Sequence, residues 1–123
     1  MKAPGQGDAY DWRGAHVVIK VAAPDTLGQL AVMESRYPPG LMTPRHLHEG
    51  EDEMFYVLDG RLQGFCEDEE WVAEPGSLVM VPRDRWHGFT VLGDCEARAL
   101  VIVGPPRLDA QVAATGMRVT GQA

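Results

Sequence analysis

Short apolar runs, each ended by a cluster of glycine, proline or aspartate, recur along the whole chain. His16–Ala22 stops at Ala23-Pro24-Asp25, and Gln29–Tyr37 stops at Pro38-Pro39-Gly40. Pro44–His48 reads as a short strand ahead of the polar turn Glu49-Gly50-Glu51. Glu53–Leu58 and Arg61–Cys66 flank Asp59-Gly60, the strongest hairpin signal in the chain. The acidic tip Glu67–Glu70 turns the chain into Trp71–Ala73, and Pro75-Gly76 leads to Ser77–Val81. Trp86–Leu92 and Glu96–Val103 complete the series, and Gly104-Pro105-Pro106 ends it. Asp109–Ala114 reads as one or two helical turns closed by Gly116. The pattern predicts a single all-β unit of roughly eight to ten short strands. Residues 1–15 are read as an N-terminal arm, 16–104 as the strand domain, and 105–123 as a tail with a short helix.

Composition supports that class. The chain has 123 residues with 14 glycines and 9 prolines, more than average usage. Their even spacing excludes the long periodic segments of a helical bundle. At 45% hydrophobic and 24% charged, the chain is too apolar for disorder. The net charge is −7 and no Lys/Arg stripe is present, so the footprint of a nucleic-acid binder is missing. Leu78–Val81 and Ala99–Val103, the longest apolar stretches, are too short to cross a bilayer, and the N-terminus has no signal-peptide core. Cys66 and Cys95 form no CxxC pair and are expected as reduced thiols. These features predict a cytoplasmic protein without a nucleic-acid or membrane partner. The methionines read as core filling, and His16 as structural.

The candidate chemistry lies in three of the four histidines. His46 and His48 occupy positions i and i+2, which on a strand point to one face. Glu53 heads the adjoining strand and His87 opens a later one. Three imidazoles and one carboxylate converging on an interior form a site for a divalent transition metal. Gly40, Gly60, Gly76 and Pro82 sit at turn positions around these four residues.

The string Gly40-x5-His46-x-His48-x4-Glu53-x6-Gly60 resembles the first motif of the cupin superfamily at every position. Gly76-x5-Pro82-x-Asp84-x2-His87-x3-Val91 resembles the second, with Asp84 where the family usually has Gly and Val91 where it often has Asn. Asp tolerates a left-handed conformation, so Asp84 is a mild departure. The resemblance covers residues 16–104. It implies a double-stranded β-helix, the small jelly-roll barrel of quercetinase-like single-domain cupins, with a short C-terminal helical segment. It also implies His46, His48, Glu53 and His87 as ligands of one divalent ion: Fe(II), Mn(II), Ni(II), Co(II) or Zn(II).

Alternation places Phe55 and Val57 in the lumen with Glu53, and Phe89 and Val91 with His87. On the hairpin return, either Gln63 and Phe65 or Leu62 and Gly64 point inward; Gln63 and Phe65 are favoured. Such a pocket suits a small, flat or aromatic oxygen-bearing molecule. The leading expectation is a metal-dependent oxygenase acting on a small enolisable or aromatic substrate chelated to the metal, with Glu53 as the catalytic base. The alternatives are a non-redox cyclase or isomerase and a non-enzymatic ligand-binding cupin. The outer apolar positions Met54, Tyr56 and Leu58 need covering and predict a homodimer.

Overall fold

A computed structural model of the chain describes residues 1–120. Its elements run β1 (Asp8–Trp12), β2 (Ala15–Val21), a 3₁₀ turn (Ala23–Thr26), β3 (Ala31–Tyr37), β4 (Asp52–Asp59) and β5 (Arg61–Cys66). They continue with β6 (Glu69–Ala73), β7 (Leu78–Val81), β8 (His87–Leu92), β9 (Ala97–Gly104), α1 (Leu108–Thr115) and β10 (Met117–Val119). One sheet has the order β10-β1-β2-β3-β9-β4-β7, and the other has β6-β5-β8. Every described strand pair is antiparallel. Strict burial alternation along β3 and β9 marks strands with one face in the core and one outside. Phe55, Val57, Val101 and Val103 of the larger sheet meet Leu62, Ala73, Phe89 and Val91 of the smaller one in a shared core. Two antiparallel sheets closed over one core form the jelly-roll barrel that the sequence implied. No helix of the described residues is long and apolar enough to cross a membrane.

Three local readings differ. The polar, Gly-rich lead-in contains β1, which hairpins with β2 and also pairs with β10. Ala9 and Tyr10 bury their side chains there, a contact too short in sequence to outweigh the surrounding glycines. Pro44–His48 is not a strand; it touches β8 through a single bridge between His46 and His87. On β5, Leu62 and Gly64 point inward while Gln63 is exposed, the reverse of the favoured reading. A bulge between Val57 and Asp59 and the left-handed Gly60 (φ 74°) change the inward parity between β4 and β5. Leu62 then faces Val91 across the β5–β8 ladder and Ala73 across the β5–β6 ladder. Of the tail read as 105–123, α1 and β10 are formed, and residues 121–123 lie outside the described part.

The helix α1 follows Pro105-Pro106 and is rich in alanine, the strongest helix former. Leu108 and Val112, one turn apart, are buried on the barrel. Asp109, buried in the first turn, accepts a hydrogen bond from the Ala23 backbone N–H at 2.8 Å. At its far end the helix is tied to the β1–β2 hairpin, where Trp12 Nε1 donates to Thr115 Oγ1 at 2.9 Å.

Gly60 sets the turn that carries β4 into β5. A Cβ at this position would lie 2.7 Å from Ala97 Cα and 2.7 Å from Glu96 O, closer than backbone atoms can yield. Gly60→Ala combines that clash with a φ hostile to L side chains, so a loss of at least about 2 kcal/mol is expected. Urea unfolding followed by circular dichroism measures it; unchanged stability would contradict the packing described.

Candidate metal centre

The site is assembled by backbone pairing before any side chain acts. His46 N–H donates to His87 O at 3.0 Å, and His87 N–H donates to His46 O at 2.8 Å. This reciprocal pair brings the two rings to a centroid distance of 4.2 Å. Each ring is then turned by a bond to its own chain: His46 Nδ1 lies 2.7 Å from Pro44 O, and His87 Nδ1 lies 3.0 Å from Arg85 O. Both carbonyls accept, so Nδ1 of each ring carries a proton and Nε2 is the nitrogen turned to the interior. Asp84 N–H donates to His48 O at 3.0 Å, and Asp84 Oδ1 accepts from Gly50 N–H at 3.0 Å. Asp84 has φ 65°, the left-handed conformation for which the sequence marked it.

These contacts and strand β4 bring His46, His48, Glu53 and His87 together, with one ligand atom from each lying within 4.8 Å of the others. Glu53 Oε1 is 3.1 Å from His87 Nε2 and 3.4 Å from His48 Nε2. Adjacent donors around one ion, each at ~2.1 Å, lie roughly 3 Å apart, so the spacing and the N₃O donor set fit a divalent transition metal. Glu53 and His87 are buried, whereas His46 and His48 are half-buried. The carboxylate end is therefore the floor of the site.

Sequence reasoning passed over one buried acid. Glu51 was read as part of a polar turn, yet it is only 2% exposed. Its Oε1 accepts from His48 Nδ1 at 3.2 Å. Its Oε2 accepts from the backbone N–H groups of Arg107 and Leu108, the first orphan donors of α1. A single carboxylate thus orients a candidate ligand and caps the helix. The partner groups lie more than fifty residues away in sequence, so no local pattern could have revealed the role.

The charge balance follows from this packing. Burial disfavours the charged form of His48, but hydrogen bonds to Glu51 and Glu53 outweigh it and push its pKa up to about 10. Burial likewise works against ionised Glu53, and the bonds from His48 and His87 overcome it, holding the pKa at about 2. His46 moves the other way: burial lowers its pKa, and the neighbouring rings of His87 and His48 add to the effect.

His46, His48 and Glu53 line a cavity of about 200 Å³, and buried His87 touches it only through Glu53. Its wall includes Phe55 and Phe89, as expected, together with Met33, Ser35, Tyr37, Leu41, Val101, Leu108 and Val112. Tyr37 and Phe89 meet edge to face at 5.0 Å, and Phe89 and Phe55 at 5.7 Å. The other expected pocket residues are elsewhere. Val57 and Val91 are buried in the barrel core, Phe65 packs its ring against Gly88, and Gln63 faces out. The walls contributed by β3 and α1 were not foreseen, because strand order cannot be read from spacing alone.

Residues 33–103 match the cupin domain family, and the chain belongs to it. It is 29% identical over 102 residues to polyketide synthase CurC of Streptomyces cyaneus, an alignment covering 83% of this chain and 64% of that protein. It is 32% identical over 71 residues to quercetin 2,3-dioxygenase of Bacillus subtilis (strain 168), covering 58% of this chain and 21% of the relative. The chain therefore spans less than two thirds of these curated relatives. The structure is also similar to that of the polyketide cyclase RemF of Streptomyces resistomycificus. The TM-score is 0.66 at 25% identity, over 83% of this chain and 70% of that one.

The geometry makes metal binding proton-coupled. At pH 7 His48 holds a proton on each nitrogen, and Nε2 must give its own up to an incoming ion. Zn(II) binding at pH 7 is therefore expected to release about one proton, and apparent affinity to fall about tenfold for each unit of pH lowered below the His48 pKa. Calorimetry in buffers of different ionisation enthalpy measures the release. Glu51→Gln removes the anion behind Nδ1 and is expected to weaken the metal by about 10- to 100-fold while releasing a smaller fraction of a proton. Unchanged affinity would remove Glu51 from the site.

Proposed function

We propose that this chain is a metal-dependent cupin enzyme, most simply an oxygenase, acting on a small enolisable or aromatic oxygen-bearing molecule. The observation that carries this reading is the clustering of three imidazoles and one carboxylate, of which His46, His48 and Glu53 line a largely apolar, aromatic cavity. His46, His48, Glu53 and His87 hold one divalent ion of Fe, Mn, Ni, Co or Zn. Bound there, the ion supplies Lewis acidity and open positions for vicinal substrate oxygens.

The protein's own residues supply the rest. Phe55, Phe89 and Tyr37 form an aromatic wall that would pack against a planar substrate and exclude water. Glu53 is the buried carboxylate at the floor of the cavity. It takes the substrate's acidic proton while the histidines retain the ion, which places the catalytic role on Glu53. Burial raises the Tyr37 phenol above its ordinary range, so Tyr37 stays protonated and can donate to a substrate oxygen rather than compete as a base. Loss of that proton would leave an electron-rich enolate or catecholate, and in an oxygenase O₂ would be both the oxidant and the source of the oxygen added to it.

A second reading keeps the same enolate and has it attack a carbonyl within its own molecule, a cyclisation without redox change. It is supported by the long alignment with polyketide synthase CurC and by the likeness to polyketide cyclase RemF. Oxygen dependence separates the two. Protein loaded in turn with Fe(II), Mn(II), Ni(II) and Zn(II) is incubated anaerobically with flavonol and 1,3-dicarbonyl probes and then given an oxygen pulse. O₂ uptake coupled to product is expected. Product formed before the pulse, with Zn(II) as with Fe(II), would identify cyclisation, and no conversion in either phase would overturn both. Glu53→Gln is expected to lower turnover by about 10²- to 10⁴-fold, with metal content measured alongside to separate loss of base from loss of ion.

The partner we propose is a second copy of the chain. Leu78 (59% exposed), Met80 (47%) and Tyr56 (42%) form an apolar face on the outer side of β4 and the edge strand β7. Half-buried Met54 and Leu58 extend it. A face of this kind, at an open sheet edge, favours closure by an identical surface. Light scattering at micromolar concentration is expected to give a dimer, and Met80→Asp a monomer with unchanged circular dichroism. A monomeric parent would refute the arrangement.

A further inference from the structure

The cavity has a feature that metal binding and enolisation leave unused. Its mouth carries Trp12 and Arg13, at the tip of the β1–β2 hairpin. Trp12 is half-buried and Arg13 is exposed, whereas Glu53 and His87 at the floor are buried. The Arg13 guanidinium carbon lies 4.6 Å from the centroid of the Trp12 ring, a cation–π stack. The indole is itself held by its bond to Thr115 on α1. The hairpin tip rests on the opposite rim: a Cβ on Gly14 would meet Leu41 Cδ1 at 3.3 Å. The guanidinium is thus held on a ring that lines the cavity and whose own position is fixed.

Two observations say that this arginine is not there for the turn. Arg13 and Gly14 both have positive φ, 49° and 83°, the pattern of a type I′ hairpin, which favours asparagine, aspartate or glycine at the first central position. A long side chain tolerating left-handed backbone at a cavity mouth points to a use for that side chain. Arg83, Arg98 and Arg118 are engaged with carboxylates, while Arg13, like Arg36, Arg45, Arg61, Arg85 and Arg107, forms no ion pair among the described residues. It is also the one permanent cation among the described residues that line the cavity. On a chain of net charge −7, an isolated cation at the entrance of an apolar slot is a selective attraction for anions.

We infer that Arg13, stacked on Trp12, recognises an anionic group on the ligand. The substrate class is then narrower than an aromatic oxygen compound: a planar body with vicinal oxygens at the floor and a carboxylate, or a comparably acidic group, at the mouth. This rests on the proposed binding of vicinal oxygens by the metal-loaded site. Guanidinium suits the role because its planar fork can meet a carboxylate with two parallel N–H donors while its face stays on the indole.

The test uses Zn(II)-loaded protein and two probes, 3,4-dihydroxyphenylacetate and its methyl ester, titrated by calorimetry and by tryptophan fluorescence. Both offer the same catechol oxygens, and only the acid carries the charge. The acid is expected to bind about 5- to 10-fold more tightly than the ester, with the ratio shrinking as salt is raised. In Arg13→Asn the acid's affinity is expected to fall to that of the ester. Asparagine suits the turn better than arginine, so the melting temperature should not drop and misfolding cannot mimic the result. Equal binding of acid and ester to the parent protein, or a ratio that survives Arg13→Asn, overturns the inference while the metal-site reading stands. Failure of both probes to bind overturns the vicinal-oxygen reading and this inference with it.

Discussion

Two backbone hydrogen bonds between His46 and His87 hold the functional end of the barrel together. The segment from Gly40 to Glu51 has no strand of its own; Leu41 and Thr43 bond to Val91 and Phe89 of β8, and its imidazoles need a further constraint. One reciprocal bridge to the start of β8 supplies that constraint, and the contacts from Asp84 to His48 and Gly50 extend it by one turn. The interaction is sequence-tolerant along the backbone and specific in effect. It places two side chains from distant parts of the chain side by side without spending either side chain on the placement.

That economy matters because the side chains are needed for charge. Glu51 and Glu53 are both buried, and His48 lies between them. Two buried carboxylates without such a partner would be driven to protonate. Here a proton on His48 and a metal ion are alternative solutions to the same electrostatic problem. The site is consequently stable in its metal-free form and still able to exchange its proton for an ion. The Pro44 and Arg85 carbonyls accept from Nδ1 of the other two imidazoles and keep their Nε2 atoms turned to the interior.

The strands, the turns and the four converging residues were legible because each depends on local rules. Alternation in β3, β4 and β9, the Asp59-Gly60 hairpin and the His46/His48 spacing are all short-range signals. Asp84 was legible too, since its backbone demand can be stated for a single residue. What escaped had causes beyond the window of a pattern. The parity of β5 depends on a bulge that sequence does not mark, which moved Gln63 out and Leu62 in. The strand β1 is stabilised by β10, whose residues arrive more than one hundred positions later. Glu51 looked like any acidic turn residue until α1 came to rest against it. Arg13 lay in a stretch dismissed as irregular, although the tip of that hairpin frames the cavity.

The bond between Glu51 and the start of α1 also has a consequence for the order in which the protein is made. A chain folded only as far as β9 would already contain all four converging residues. Glu51 at that stage is a carboxylate waiting in a nascent core without the two amides that will satisfy it, and the cavity still lacks the wall formed by Leu108 and Val112. Arrival of the helix resolves both at once, giving the buried charge its donors and closing the slot over the donors of the floor. The helix α1 is the closing piece of the site: without it the ligating groups would face water rather than an enclosed pocket.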